Sequence, residues 1–184
     1  MSARLLLISH AATSATRRAG FPLDEGIEPV VGPKPGDLPR ADRFCCAPER
    51  RTLETASLLG LTPEVEPLLR DIDLGDWAGR GFDEMLSVDP SGIAAWTKDP
   101  AAAPHGGETV ENLCIRVSQW MEPQNRAGGR IIAVTHPAVI RAAIAFALEV
   151  DPLGFWRIDI GPLTQVDLRG DGRRWNLRGM LGRD

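Results

Sequence analysis

This chain predicts an α/β fold with a mostly parallel central sheet, on three observations. Two continuous aliphatic runs, Leu5-Leu6-Leu7-Ile8 and Ile131-Ile132-Ala133-Val134, are bounded by polar residues, as in strands buried on both faces. Helical patterns alternate with such runs through short connections, which sets strands side by side in parallel. Each of the two runs also ends in a histidine, His10 and His136. Open α/β sheets bind ligands beyond the carboxyl ends of their strands, so both imidazoles would stand at the mouth of one crevice.

The elements follow in order. Beyond the strand that ends near Ser9, Thr13 to Arg18 reads as a turn leading into a helix. Gly20 to Arg40 is dense in Pro and Gly and reads as a loop in which at most a short helix survives. Arg43 to Ala47, with Phe44-Cys45-Cys46, is a second strand. Pro48 then opens a helix in which Leu53, Ala56 and Leu59 recur at helical spacing before Gly60 ends it. Val65 to Leu69 is expected as a third strand and Arg70 to Gly81 as a turn-rich segment. Phe82 to Val88 is a short helix, and Trp96 through His105 an ordered loop. From Thr109, which can cap, Val110, Leu113, Cys114, Val117, Trp120 and Met121 make one apolar helical stripe. The strand Arg130 to His136 is followed by a helix from Pro137 to about Leu148. A hairpin closes the chain, Leu163 to Leu168 and Trp175 to Leu177 around Gly170-Asp171-Gly172.

With 184 residues the chain is expected to be one domain, 1–184, large enough for a core without staples. A net charge of −4, mixed along the sequence, argues against nucleic acid or an anionic membrane as partner. The basic C-terminal residues Arg169, Arg173, Arg174, Arg178 and Arg183 read as a solvated surface. No apolar run is long enough for a membrane span, and no signal-peptide pattern opens the chain. Three cysteines without C-x-x-C or Cys/His zinc spacing indicate neither a disulfide framework nor a structural metal, and the cytosol is the expected compartment.

Two chemistries compete for a histidine pair. Metal binding would want a third ligand such as His105 or an aspartate, and no H-E-x-x-H or H-x-H spacing supplies it. Nucleophilic catalysis on an anion would have one neutral imidazole attack phosphorus while cations hold the remaining oxygens. That reading needs an arginine, and Arg51, early in the helix after the second strand, is the candidate, since a guanidinium can grip two phosphate oxygens.

The layout resembles the histidine phosphatase superfamily, also called phosphoglycerate mutase-like. Its Arg-His-Gly and following Thr or Ser are matched by Ser9, His10, Ala11 and Thr13. Its Ser-Pro, Arg and Thr-Ala are matched by Ala47-Pro48, Arg51 and Thr55-Ala56. Asp71 to Gly79, with Gly75 and Trp77, matches its Glu-x-x-x-Gly-x-Trp-x-Gly segment. Gly107-Glu108-Thr109 and Thr135-His136-Pro137 match its Gly-Glu-Ser/Thr and Thr-His-Gly. The five pieces stand in the family's order and span Arg4 to Ala147.

The resemblance implies a three-layer fold, helices flanking the sheet on both faces, and a metal-independent phosphomonoesterase without cofactor. His10 would be the nucleophile that becomes phosphorylated, and His136 would donate hydrogen bonds to the phosphoryl oxygens. Asp71, one methylene shorter than the family's glutamate, would protonate the leaving oxygen and then activate water, with Asp73 as the fallback. Arg51 would hold the phosphate. Ser9 replaces the arginine that in the family touches phosphate; its hydroxyl, Thr13, and Arg17 or Arg18 sent back from the next helix are the candidates to compensate. Glu108 is expected at the site or behind it, orienting a histidine. The expected partner is a small phosphorylated substrate, a second copy of the chain being admitted. Mutases of the family are longer, so hydrolysis is favoured. A phosphate-ligand or protein-binding module without catalysis is the rival, motivated by Ser9. Gly20 to Arg40 and Ser87 to His105 are the expected specificity loops, with Trp96 packing a lid or stacking on the leaving group.

Overall fold

The computed structural model describes residues 2–30 and 37–182. Residues 31–36 of the expected specificity loop, and Arg183 of the basic tail, lie outside the described residues. The strands are β1 (Ala3–Ser9), β2 (Arg43–Cys46), β3 (Glu64–Val65), β4 (Gly129–Thr135), β5 (Gln165–Gly170) and β6 (Trp175–Leu181). The helices are α1 (Ser14–Arg17), α2 (Arg50–Leu58), α3 (Phe82–Val88), α4 (Pro90–Lys98), α5 (Val110–Ala127) and α6 (Pro137–Ala147).

One six-stranded sheet runs in the order β3-β2-β4-β1-β5-β6. Its first four strands are parallel, and the closing hairpin adds β5 antiparallel to β1 and β6 antiparallel to β5. The continuous aliphatic runs have the predicted cause. Leu5 and Leu7 of β1, with Ile131 and Ala133 of β4, pack into a large core that includes Leu113 and Val117 of α5 and Ile140 of α6. Leu6 and Ile8, with Ile132 and Val134, face a smaller core holding Ala56 of α2 and Leu59. Side chains alternate across a strand, so a strand with helices on both faces has to be apolar at every position.

Three expectations need correction. The strand foreseen over Val65 to Leu69 is only Glu64–Val65, and Pro67–Leu69 forms a 3₁₀ turn; proline has no N–H to give the ladder. Trp96 is not in a loop but in α4, where Asp89 accepts from Gly92 N and Pro90 occupies the first turn. Pro90 and Gly92 look like breakers, yet a proline just after an aspartate cap opens a helix readily. Finally, α2 begins at Arg50 rather than Pro48, with Glu49 at its N-cap and its side chain turned elsewhere.

Candidate active site

β1 and β4 are neighbours in parallel register with Ser9 opposite Thr135, so the next residues, His10 and His136, emerge side by side. Their ring centroids are 5.3 Å apart in an edge-on arrangement. His10 N donates to Thr135 O at 2.9 Å, closing the sheet end beneath the pair. The loop after His10 is fixed by Ala11 N, which donates to Thr55 Oγ1 at 2.9 Å. Thr55 Oγ1 in turn donates to Arg51 O at 2.7 Å. The Thr55-Ala56 pair therefore tethers the histidine loop to α2.

The His10 Nδ1 is 2.8 Å from Ala11 O. A carbonyl only accepts, so Nδ1 carries the proton and Nε2 keeps its lone pair. Burial, then the neighbouring His136, hold the His10 pKa down to about 4. The imidazole is accordingly neutral at physiological pH.

Arg51 is buried at 3% exposure and its donors are divided among three partners. Nη2 meets Asp71 Oδ2 at 2.7 Å, Nε meets His136 Nδ1 at 3.3 Å, and Nη1 meets Leu23 O at 3.0 Å. Asp71 Oδ2 is also 3.3 Å from His136 Nδ1. Burial pushes the Asp71 carboxyl up, but Coulombic interaction with His136, Arg51 and His10, with the Arg51 hydrogen bond, outweighs it and leaves the pKa below the ordinary value.

Sequence reasoning missed Glu49. Its Oε2 accepts from His136 Nε2 at 2.7 Å and its Oε1 accepts from Asp71 N at 3.0 Å. Burial raises its pKa, and the hydrogen bond and charge of His136 with two backbone N–H groups bring it below the usual glutamate value. A charged residue beside Pro48 looks like the ordinary acidic start of a helix, and no spacing marks it as a partner of His136.

The loop carrying Asp71 is held from behind. Arg116 grips Glu108 with two bonds, Nε to Oε1 at 2.8 Å and Nη2 to Oε2 at 2.6 Å. Its Nη1 donates to Leu68 O at 2.7 Å and Arg70 O at 3.0 Å, and Nη2 to Asp71 O at 3.3 Å. Glu108 thus orients the Asp71 backbone through Arg116, and neither histidine is its partner. Asp73 Oδ1 accepts from Gly75 N at 2.9 Å, which commits it to its own turn.

A cavity of about 260 Å³ opens beside His10, lined also by Thr13, Asp71, Trp96, Arg141 and Trp156. Thr13 Oγ1 at the same time caps α1, accepting from Thr16 N. Ser9 is fully buried and does not line the cavity, and its Oγ has no partner among the described residues. Arg17 does not come to the cavity either; it is exposed and ion-paired with Glu28. Arg18 is also exposed, its Nε on Ser14 O at 3.3 Å. His105 packs edge-on against Trp77 and Trp96, at 5.2 and 6.1 Å between centroids, rather than beside the two histidines. A larger cavity of about 570 Å³ between α5, α6 and the β5–β6 turn contains no histidine.

At the adjacent ends of β1 and β4 the site thus sets one histidine whose Nε2 keeps its lone pair beside another that contacts a buried arginine and a carboxylate. Residues 38–181 match the histidine phosphatase superfamily (branch 1), and the chain belongs to that family. It is 27% identical over 186 residues to a bifunctional protein of Mycobacterium tuberculosis, covering 92% of this chain and 51% of that protein. It is 31% identical over 139 residues to a glucosyl-3-phosphoglycerate phosphatase of Mycolicibacterium vanbaalenii, covering 67% of this chain and 61% of that one. The chain thus spans about half the length of the first of these relatives. A solved phosphoserine phosphatase of Entamoeba histolytica, in complex with 3-phosphoglyceric acid, superimposes with a TM-score of 0.82 at 19% identity, covering 99% of this chain and 98% of that one.

Proposed function

We propose that this chain is a phosphomonoester hydrolase that forms a phosphohistidine on His10 and needs no metal. The observation that carries the reading is the state of His10. Its Nδ1 is engaged by Ala11 O and its pKa lies near 4, so Nε2 offers a lone pair to the cavity at neutral pH. In the first step Nε2 bonds to phosphorus, the ester P–O bond breaks and Asp71 gives its proton to the leaving oxygen. In the second, water attacks phosphorus, the N–P bond breaks, and Asp71 takes the proton back.

Asp71 must hold a proton for the first step although the ligand-free network keeps it ionised. A bound phosphate dianion resolves this. It draws the Arg51 guanidinium off Asp71 and adds negative charge beside the carboxylate, and both changes raise the Asp71 pKa. His136, relieved of the Arg51 Nε–H, can be protonated at Nδ1 and donate to a phosphoryl oxygen, with Glu49 supporting the imidazolium from Nε2.

The phosphatase names of several relatives agree with this reading, and the cavity, below the roughly 300–1,000 Å³ of drug-sized sites, suits a small metabolite. We read residues 1–184 as one domain. The three free cysteines fit a reducing cytosol. A second reading, a phosphate-binding member with little turnover, draws on Ser9 and Arg17, neither of which brings a charge to the cavity. Turnover of para-nitrophenyl phosphate and a panel of phosphometabolites, with and without chelator, separates the two. Hydrolysis that persists with chelator and disappears in His10→Ala is expected. A wild type no faster than His10→Ala would leave the binding reading, and loss on chelation would restore a metal.

A further inference from the structure

Arg141 is the one charged residue in α6, whose sequence Pro-Ala-Val-Ile-Arg-Ala-Ala-Ile-Ala-Phe-Ala is otherwise apolar. A guanidinium set in such a helix is costly to desolvate unless something meets its donors. The protein meets only part of the demand. Nε donates to Ile158 O at 2.7 Å, and the guanidinium carbon lies 5.8 Å from the ring centroids of both Phe155 and Trp156. Among the described residues, no acceptor meets the two terminal nitrogens. Asp159 and Asp71 act on the charge at longer range without forming an ion pair.

Arg141 lines the same cavity as His10, one helical turn beyond Pro137. The remaining wall is largely apolar, with Ile72, Leu74, Trp156 and Ile160, and its polar members besides His10 are Thr13, Thr16 and Asp71. Of the groups proposed for phosphoryl transfer, His10 and Asp71 line this cavity, while His136 and Arg51 stand behind it against Asp71. On that reading the terminal nitrogens of Arg141 are left for the part of the substrate that leaves.

We infer that Arg141 is a specificity-determining residue that binds a second oxyanion, a carboxylate or phosphate carried by the leaving group, so that the favoured substrates are acidic phosphomonoesters. The fork of a half-buried arginine pairs with an oxyanion in two parallel bonds, and the aromatic faces of Phe155 and Trp156 hold the guanidinium plane in place. The inference rests on the phosphatase reading of the site.

The test uses pairs of esters that differ in one carboxylate: phosphoserine against phosphoethanolamine, and 3-phosphoglycerate against glycerol 3-phosphate. Calorimetric titration of the full chain carrying His10→Ala measures binding without turnover. The carboxylate-bearing partner should bind at least about tenfold tighter, the size of one charge-assisted bond. Adding Arg141→Gln should bring each pair within about twofold, and Arg141→Lys, which keeps the charge but not the fork, should fall between. Equal binding within each pair, or a preference that survives Arg141→Gln, overturns the inference. So does an equal loss for both partners, which would assign Arg141 to the phosphoryl group. Parallel turnover of the native chain keeps the two readings apart. A carboxylate preference in binding with no hydrolysis of any ester rejects the hydrolase alone; hydrolysis without preference rejects the role of Arg141 alone.

Discussion

His136 Nε2 lies 2.7 Å from Glu49 Oε2, and the other oxygen of that carboxylate holds Asp71 N at 3.0 Å. One side chain thus fixes the ring orientation of the second histidine and the position of the proposed acid. An ionised partner on Nε2 stabilises a positively charged imidazole in the transition state, as the buried aspartate does in hydrolytic triads. Glu49→Gln keeps the shape and removes the charge. It should lower kcat by about 10- to 100-fold with a smaller effect on KM. An unchanged kcat with a lower melting temperature would make Glu49 purely structural.

Much of this site is legible in the sequence because parallel strands advertise themselves. An apolar run buried on both faces has no polar interior, so the first polar residues after Ile8 and Val134 mark the sheet's carboxyl edge and place His10 and His136 there. Arg51 stands out only once the histidine pair calls for a cation, and Asp71 only through the family pattern, since an arginine in a helix and an aspartate in a turn are commonplace by themselves. Glu49 and Arg141 are hidden for the same reason: what they touch depends on tertiary placement that spacing does not encode. Arg17 is not sent back to the site because α1 has only four residues and ends with Arg17 paired to Glu28, which no spacing in the sequence reveals.

The histidine that performs the attack should also impose a pH dependence on stability. Its pKa is about 4 in the folded chain against 6.5 for an ordinary histidine. Between these values the unfolded chain takes up a proton that the folded chain refuses, so stability falls as pH drops and is fully present above about 6.5. The difference corresponds to about 3 kcal/mol. Urea denaturation of wild type and His10→Gln at about pH 7 and about pH 4.5 checks this: the stability of wild type relative to the variant should decline by roughly 2–3 kcal/mol on acidification. A constant difference would mean that His10 protonates normally. Asp71 and Glu49, with lowered pKa values, act in the other window, where stability is lost only as pH falls through their folded pKa values.

Two loops cross behind Asp71 at a distance only glycine permits. A Cβ on Gly107 would lie 2.1 Å from Asp73 O, and one on Gly75, at φ +45°, 2.0 Å from His105 O. Gly107→Ala must therefore push the Asp71 loop away. It should cost about 1–3 kcal/mol, as overpacking does, and lower kcat/KM more than a Gly179→Ala control at an exposed glycine with open space for a Cβ. Equal activity and melting temperature in the two variants would refute the close crossing.

Arg116 and Glu108 form a buried ion pair whose remaining donors hold three carbonyls of the same loop. Arg116→Met removes the main cation and leaves Glu108 with only the exposed Arg70, 3.5 Å away, a loss of up to about 3–5 kcal/mol by analogy with broken buried pairs. Thermal and urea unfolding should register that loss, and Arg116→Met with Glu108→Leu should recover part of it, because the second change removes the unpaired charge. Additive losses in the double variant would show that the pair is not coupled.

The central claim is a covalent one: phosphorus is transferred to His10 Nε2. Rapid mixing with para-nitrophenyl phosphate, an alkaline quench and peptide mass analysis read it directly. An acid-labile, base-stable phosphoryl group is expected on the peptide carrying His10, formed and consumed within a turnover and absent from His10→Ala. Hydrolysis at the wild-type rate with no phosphoryl group on His10, or with one on another residue, would contradict it.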